Sequence, residues 1–236
     1  ATVNGVTGLK PAHASLSAEG IVPIARTLDS AGPLAQSLAD ALAVYACMRD
    51  APLAPVKPAK PETLRLAINV YQRDQVSQAQ LALYEAWLGA LRRTGVRTFE
   101  VTHEHTPLQR VVMRHEFKRD LEAYLAGSAA QRRTLREIAA FYEADPERRM
   151  PYGISCLTAA LESAEDPAEE EAYRAALTER ERLRGQVLES LAKADACLMT
   201  GPTNLMHFIG LPSVALRLGM GSDGTPRGAI LYGTEE

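Results

Sequence analysis

An α/β fold, one sheet flanked by helices, is what the sequence predicts, and three observations carry it. Leu64, Leu66, Ile68 and Val70 alternate, the period of a strand with one face buried. Leu81, Tyr84, Leu88 and Leu91 then mark one face of a helix that runs up to Gly95, a residue type suited to a helix C-terminus. Val96 to Val101 alternates again, so strand, helix and strand follow with short links. This order predicts two adjacent parallel strands joined by a right-handed crossover.

The remaining elements fall around that unit. Gly5 to Pro33 is dense in Gly, Pro and Ser with apolar residues interleaved, and reads as turns. Leu34, Leu38, Ala41, Leu42 and Tyr45 recur at helical spacing, with Pro33 near the first turn and an end near Arg49. Residues 51–61 carry Pro52, Pro55, Pro58 and Pro61 and predict an extended surface connector. From Pro107 to Lys193 the pattern is helical and charged: Leu135, Ile138, Ala139 and Tyr142 line one face, and Leu183, Val187 and Leu191 another. The acidic run Glu162–Glu171 contains Pro167 and reads as a solvated loop and a helix start. The last forty residues return to strands, "ADACLMT", "SVALRL" and "GAILYG", with a hairpin turn at 221–224 between the last two. One sheet of sequence-distant strands accounts for the whole, with the helical part at about 107–193 packed on its outside.

Composition narrows the function classes. With 236 residues, 46% hydrophobic and 23% charged, the chain can bury one sizeable core or two small ones. Lys plus Arg is 26 against 29 Asp plus Glu, and a net charge of −3 offers no electrostatic grip on nucleic acid or an anionic membrane. No apolar run is long enough to span a bilayer, and residues 1–20 lack the layout of a signal peptide, although a targeting segment lost ahead of residue 1 is compatible with so abrupt a start. Cys47, Cys156 and Cys197 are widely spaced and form no C-x-x-C pair, which predicts buried free thiols in a reducing cytoplasm rather than a zinc or redox site. His103 and His105 would share one face of an extended strand, but no third ligand stands nearby and Glu104 and Thr106 suggest a wet loop, so no metal is expected.

A series of segments, in order along the chain, carries a resemblance. "GVTGLKP", "SAEGIVP", "TLDSAGP" and "AQSLAD", together spanning Gly5 to Asp40, resemble the region just after the nucleophile in the amidase signature family. "HEFKRDLEAYLA" (His115–Ala126) and "TLREIAAFYEADPERRMPYG" (Thr134–Gly153) look like a branch containing many bacterial and fungal amidases. "DACLMTGPT", "IGLPSVALRLG" and "GTPRGAILYG" are similar to its closing strands. The resemblance covers essentially the whole chain and implies a mixed β-sheet flanked by helices, of which this chain represents the C-terminal portion of a partial domain spanning 1–236. It departs from the family's pattern at Ala14 and Ser15, at Gln36 where the family has Arg, at Tyr142 and at Ile154, positions that bear on substrate preference more than on fold.

The resemblance implies a reaction and also an absence. Family members use a serine nucleophile, a second serine in a cis peptide and a lysine base, and none of those segments is in this sequence. The expectation is therefore a chain that starts just after the nucleophile loop, stops one helix early, holds no catalytic residue and leaves sheet neighbours missing. Lys10, in the G-L-K-P context, does not match the family's base. Ser15 and Ser17 sit among turns, where hydroxyls bond neighbouring backbone groups. Asp29 is a turn anchor, and Ser222 with Asp223 fails the G-x-S-x-G pattern because Met220 stands where Gly is needed.

Substrate-binding candidates are Tyr152, His207 and Phe208, the last two because their loop follows a strand end in an α/β sheet. The implied function is hydrolysis of a carbon–nitrogen amide bond through a serine acyl-enzyme in the intact protein. This chain would supply scaffold and pocket wall to a small-molecule amide substrate, without cofactor, nucleic-acid partner or membrane; the reading admits a homodimer. The alternative is a non-catalytic, amidase-like binding or accessory subunit.

Overall fold

A computed structural model describes residues 1–236 apart from 51, 54–57, 72, 74, 202, 235 and 236. In chain order its strands are β1 (Thr7–Lys10), β2 (Leu34–Ala35), β3 (Arg65–Asn69), β4 (Arg97–Val101), β5 (Ala196–Met199), β6 (Ser213–Met220) and β7 (Pro226–Tyr232). Its helices are α1 (Leu38–Met48), α2 (Gln78–Arg93), α3 (Gln109–Ala126), α4 (Leu135–Glu143), α5 (Pro146–Arg149), α6 (Ser155–Ser163), α7 (Pro167–Leu191) and α8 (Leu205–Phe208). The strands form one seven-stranded sheet in the order β2-β1-β6-β7-β5-β3-β4. The chain divides into two compact units: residues 1–17, 30–105 and 182–236 hold the sheet, and residues 18–29 with 106–181 form a helical unit. The division runs through α7, whose last residues, 182–191, belong with the sheet.

The sheet unit matches the predicted pattern. β3 runs parallel to β4, with Leu66 opposite Thr98 and Ile68 opposite Glu100, and parallel to β5 on its other side. The other pairings are antiparallel, so the sheet is mixed. Lying between two strands, β3 is buried on both faces, and Leu66, Ala67, Ile68 and Asn69 are all removed from solvent. On one face Leu66, Ile68 and Leu198 pack with Tyr84 and Leu88 of α2, and with Val96. α2 is capped by Ser77, whose side chain accepts the Gln80 N–H at 3.2 Å. Just past its end Gly95 has φ +97°, and a side chain there would also press on Glu62 at 3.2 Å, so glycine is required. The β6–β7 hairpin turns at 221–224, where Gly221 N donates to Thr225 O at 2.8 Å and Asp223 accepts the Thr225 N–H and hydroxyl. Those bonds hold the Asp223 carboxyl below the usual range.

The helical unit has its own core of Leu121, Leu135 and Ala160, with Phe117, Leu125, Ile138, Leu157 and Leu161 packed against it. Thr134 and Glu137 form a complete capping box at the start of α4, and the backbone N–H groups of Arg133 and Thr134 lower the Glu137 pKa. The Arg132 and Arg149 guanidinium groups lie 3.8 and 3.9 Å from the Phe141 ring centroid. Segment 18–29 is tied in by two buried acids of α3. Asp120 accepts the Arg26 N–H at 2.8 Å, and Glu116 accepts the Thr27 N–H at 3.2 Å and hydroxyl at 2.8 Å. Tyr173 donates its hydroxyl to the same Glu116 at 2.7 Å, and its own pKa is pushed up to about 12 by burial and by that carboxylate.

Several expectations are corrected. The helix predicted from Leu34 starts at Leu38, because Leu34 and Ala35 pair with β1 and Ser37 caps α1, accepting the Asp40 N–H. Pro33 thus precedes a strand. Of the connector 51–61, residues 51 and 54–57 lie outside the described residues; Pro58–Lys60 are exposed and Pro61–Thr63 form a single 3₁₀ turn. Cys197 is buried as expected, but Cys47 and Cys156 are exposed on α1 and α6. β4 ends at Val101, so His103 and His105 lie beyond the strand, and His103 is buried rather than in a wet loop. Among the described residues no helix is long and apolar enough to cross a membrane.

Candidate functional site

The face of the sheet opposite α2 carries a polar cluster at the ends of its parallel strands. Register sets it: Asn69 lies opposite Met199 and Cys197 opposite Tyr232, and these alternate with the apolar residues that face α2. Asn69, only 2% exposed at the C-terminal end of β3, uses its amide fully. Its Nδ2 donates to His103 O and to the Tyr232 hydroxyl, both at 3.1 Å. Its Oδ1 accepts the backbone N–H of His103 and of Tyr71, again at 3.1 Å. One carboxamide therefore fixes the chain leaving β3 and the chain leaving β4 together.

The Tyr232 hydroxyl lies 2.8 Å from His103 Nδ1. Burial holds the Tyr232 phenol well above its usual range, holds His103 below its ordinary value, and pushes the neighbouring Cys197 thiol up to about 12. All three are neutral at physiological pH. Tyr232 Oη accepts a hydrogen bond from Asn69 Nδ2, and its hydroxyl lies between His103 Nδ1 and the Cys197 thiol. His103 Nε2 is buried and has no hydrogen-bond partner among protein groups.

Beside this ring is a cavity of about 310 Å³, within the sheet unit, walled by Thr102, His103, Leu183, Gln186, Val187 and Leu205 among others. A second hollow of about 330 Å³ shares Thr102, His103 and Gln186 and extends to Ser190 and Lys193. This is the arrangement expected of a ligand site in an α/β sheet: the carboxyl ends of parallel strands, one apolar wall and a few converging polar groups.

The residues singled out from sequence belong to both units. His207 is half-buried on α8, and Phe208 beside it is fully buried. Tyr152 is fully exposed in the helical unit. Lys10 ends β1 and donates to Pro11 O at 2.9 Å. Ser15 donates to Ala12 O at 2.7 Å, a turn contact. Asp29 accepts the Ile24 and Ala25 N–H groups at 2.8 and 3.2 Å, the anchoring role expected of it. Ser222 and Asp223 occupy the hairpin turn. Asn69 and Tyr232 were not foreseen. A trace of Asn69 was present, a polar residue closing the otherwise apolar run "LAIN", whereas nothing near Tyr232 marks it.

Comparison with known proteins gives the family and the fold. A family model described as Amidase matches residues 1–208. An amidase family protein from Bacillus anthracis superposes with a TM-score of 0.83 at 24% identity, covering 99% of this chain and 51% of that one. The peptide amidase from Stenotrophomonas maltophilia gives 0.81 at 26% identity, covering 99% of this chain and 55% of that one. A glutamyl-tRNA(Gln) amidotransferase chain from Thermotoga maritima shares the fold at 0.66 and 19% identity, covering 99% and 55%. The chain thus spans about half the length of the solved structures it matches. No curated protein sequence matches it.

Proposed function

The chain belongs to the amidase family, and from that premise we propose that the protein it contributes to hydrolyses a carbon–nitrogen amide bond. The observation that carries this is the family match across residues 1–208, supported by a likeness to a peptide amidase along 99% of the chain. In this reading a serine outside the present sequence attacks the amide carbonyl carbon while a lysine takes its proton through a bridging serine. The C–N bond then breaks, the amine leaves with that proton, and water releases the acid from the acyl-enzyme. Residues 1–236 supply scaffold and pocket wall. His207 on α8 is the wall residue of the sheet unit.

The reading predicts ammonia release from simple carboxamides or peptide amides by the intact protein. It predicts none from the 236-residue polypeptide, because losing nucleophile and base costs several orders of magnitude in rate. A fluorophosphonate probe should label one serine of the intact protein and none of residues 1–236. Stoichiometric labelling of a serine within 1–236 overturns the division of labour. An intact protein that hydrolyses no amide and resists the probe is instead a binding or accessory subunit. His207→Ala should raise KM with little change in kcat; unchanged KM removes His207 from the pocket wall.

A further inference from the structure

We propose that the outer edge of β4 pairs antiparallel with the same edge of a second copy of this chain, joining two sheets across a two-fold axis at Phe99. The proposal is independent of amide hydrolysis.

The backbone sets where such a strand bonds. β4 ends the sheet order, with β3 on one side only. Arg97 N donates to Leu64 O and Val101 O accepts from Val70 N, both at 3.0 Å, so the odd-numbered residues Arg97, Phe99 and Val101 turn their N–H and C=O groups toward β3. Thr98 and Glu100 therefore turn theirs outward, where no described backbone group bonds them. Glu100 is exposed and Thr98 half-buried, so this edge is open to solvent among the described residues. β4 contains neither a proline nor a bulge against β3 that would blunt it as a template for another strand.

Charge selects a second copy over an arbitrary strand, and it fixes the register. Thr98 and Glu100 lie on the face that α2 covers. Arg92 Nε donates to Thr98 Oγ1 at 3.0 Å, and Arg73 Nη1 stands 3.7 Å from Glu100 Oε1. Setting Thr98 opposite Glu100 of the second copy lets each such pair exchange both of its backbone hydrogen bonds. Side chains directly opposite have Cβ atoms about 5 Å apart, so the Arg92 guanidinium resting on Thr98 meets the Glu100 carboxylate of the other copy. That carboxylate is 63% exposed and has only the long Arg73 contact on its own side. On the opposite face Phe99 stands against its symmetry mate in a non-hydrogen-bonded pair, and Arg97 stands opposite Val101. A register centred on Glu100 would instead set two carboxylates against each other. An isologous edge of this kind is used up by one partner, so association stops at the dimer.

The test is sedimentation velocity of the full-length protein, with a reversible monomer–dimer equilibrium expected below about 100 µM. Arg92 and Glu100 are exposed, so reversing their charges spares the core. Glu100→Arg and Arg92→Glu should each raise the dimer Kd about tenfold or more, and the double substitution, which restores opposite charges, should bring it back to within about threefold. Register is read by disulfide trapping with the exposed Cys47 and Cys156 replaced by Ser. Phe99→Cys should cross-link two chains on mild oxidation, whereas Glu100→Cys should not, because its symmetry mate lies beyond disulfide reach. The proposal is overturned by a protein that stays monomeric at about 100 µM, by a dimer indifferent to both charge reversals, or by a double substitution no better than the singles. It is equally overturned if Phe99→Cys fails to cross-link, or if Glu100→Cys does so as readily.

Discussion

Tyr232→Phe isolates the polar cluster, because it removes one oxygen and keeps the ring that fills the space, so no cavity term enters. Asn69 Nδ2 loses one of its two oxygen acceptors but keeps His103 O, a loss of about 1 kcal/mol. His103 Nδ1 loses its one partner while buried, which costs about 1–3 kcal/mol. Together the substitution should destabilise the sheet unit by about 2–4 kcal/mol, short of the roughly 5–15 kcal/mol that holds a domain folded. Trp87, the chain's only tryptophan, packs against the core of this unit, so its fluorescence tracks this unit through urea denaturation. With a slope of about 2 kcal/mol per molar urea, the midpoint should fall by about 1–2 M. The pairing with His103→Phe supplies the control: once either partner is gone the other has less to lose, so the double substitution should cost less than the sum of the singles. A midpoint shift below about 0.3 M, or strict additivity, would refute the account of Tyr232 as the group that satisfies both Asn69 and His103.

Three more outcomes are expected from the same structure. Glu116→Ala strips the fully buried acceptor from the Thr27 N–H, the Thr27 hydroxyl and Tyr173, costing about 2–4 kcal/mol, so hydrogen exchange at the Thr27 amide should accelerate on the order of a hundredfold; unchanged exchange would show that segment 18–29 is held by something else. His103 is held neutral by burial, so its contribution to stability is complete above the ordinary histidine value of about 6.5 and is lost as pH falls below that value through its lowered pKa; a midpoint for His103→Phe that drops with acid as steeply as the wild type would oppose this. Cys47 and Cys156 should react with a maleimide in the native protein, whereas Cys197, buried and with its pKa raised to about 12, should react only in denaturant; three equivalents of rapid native labelling would contradict the burial.

Local pattern was enough for the βαβ unit, the closing strands and the 221–224 turn, since each is decided by periodicity and turn chemistry within a few residues. Alternation marked Leu66 and Ile68, and Gly95 stops its helix for a reason intrinsic to glycine. The motifs from Gly5 onward were likewise legible, because a family's turns are written in consecutive residues. The sheet's order was not, nor was the start of α1: Leu34 has helical spacing, yet a β1 neighbour takes its backbone into the sheet. His103 was misjudged for the same reason. Its sequence neighbours Thr102 and Glu104 are exposed, whereas Asn69, 34 positions upstream, and Tyr232, 129 positions downstream, bond its backbone and its ring. Hydrogen bonds between groups so far apart in the chain depend on strand register, which sets faces in the folded sheet and leaves no periodic trace in the sequence.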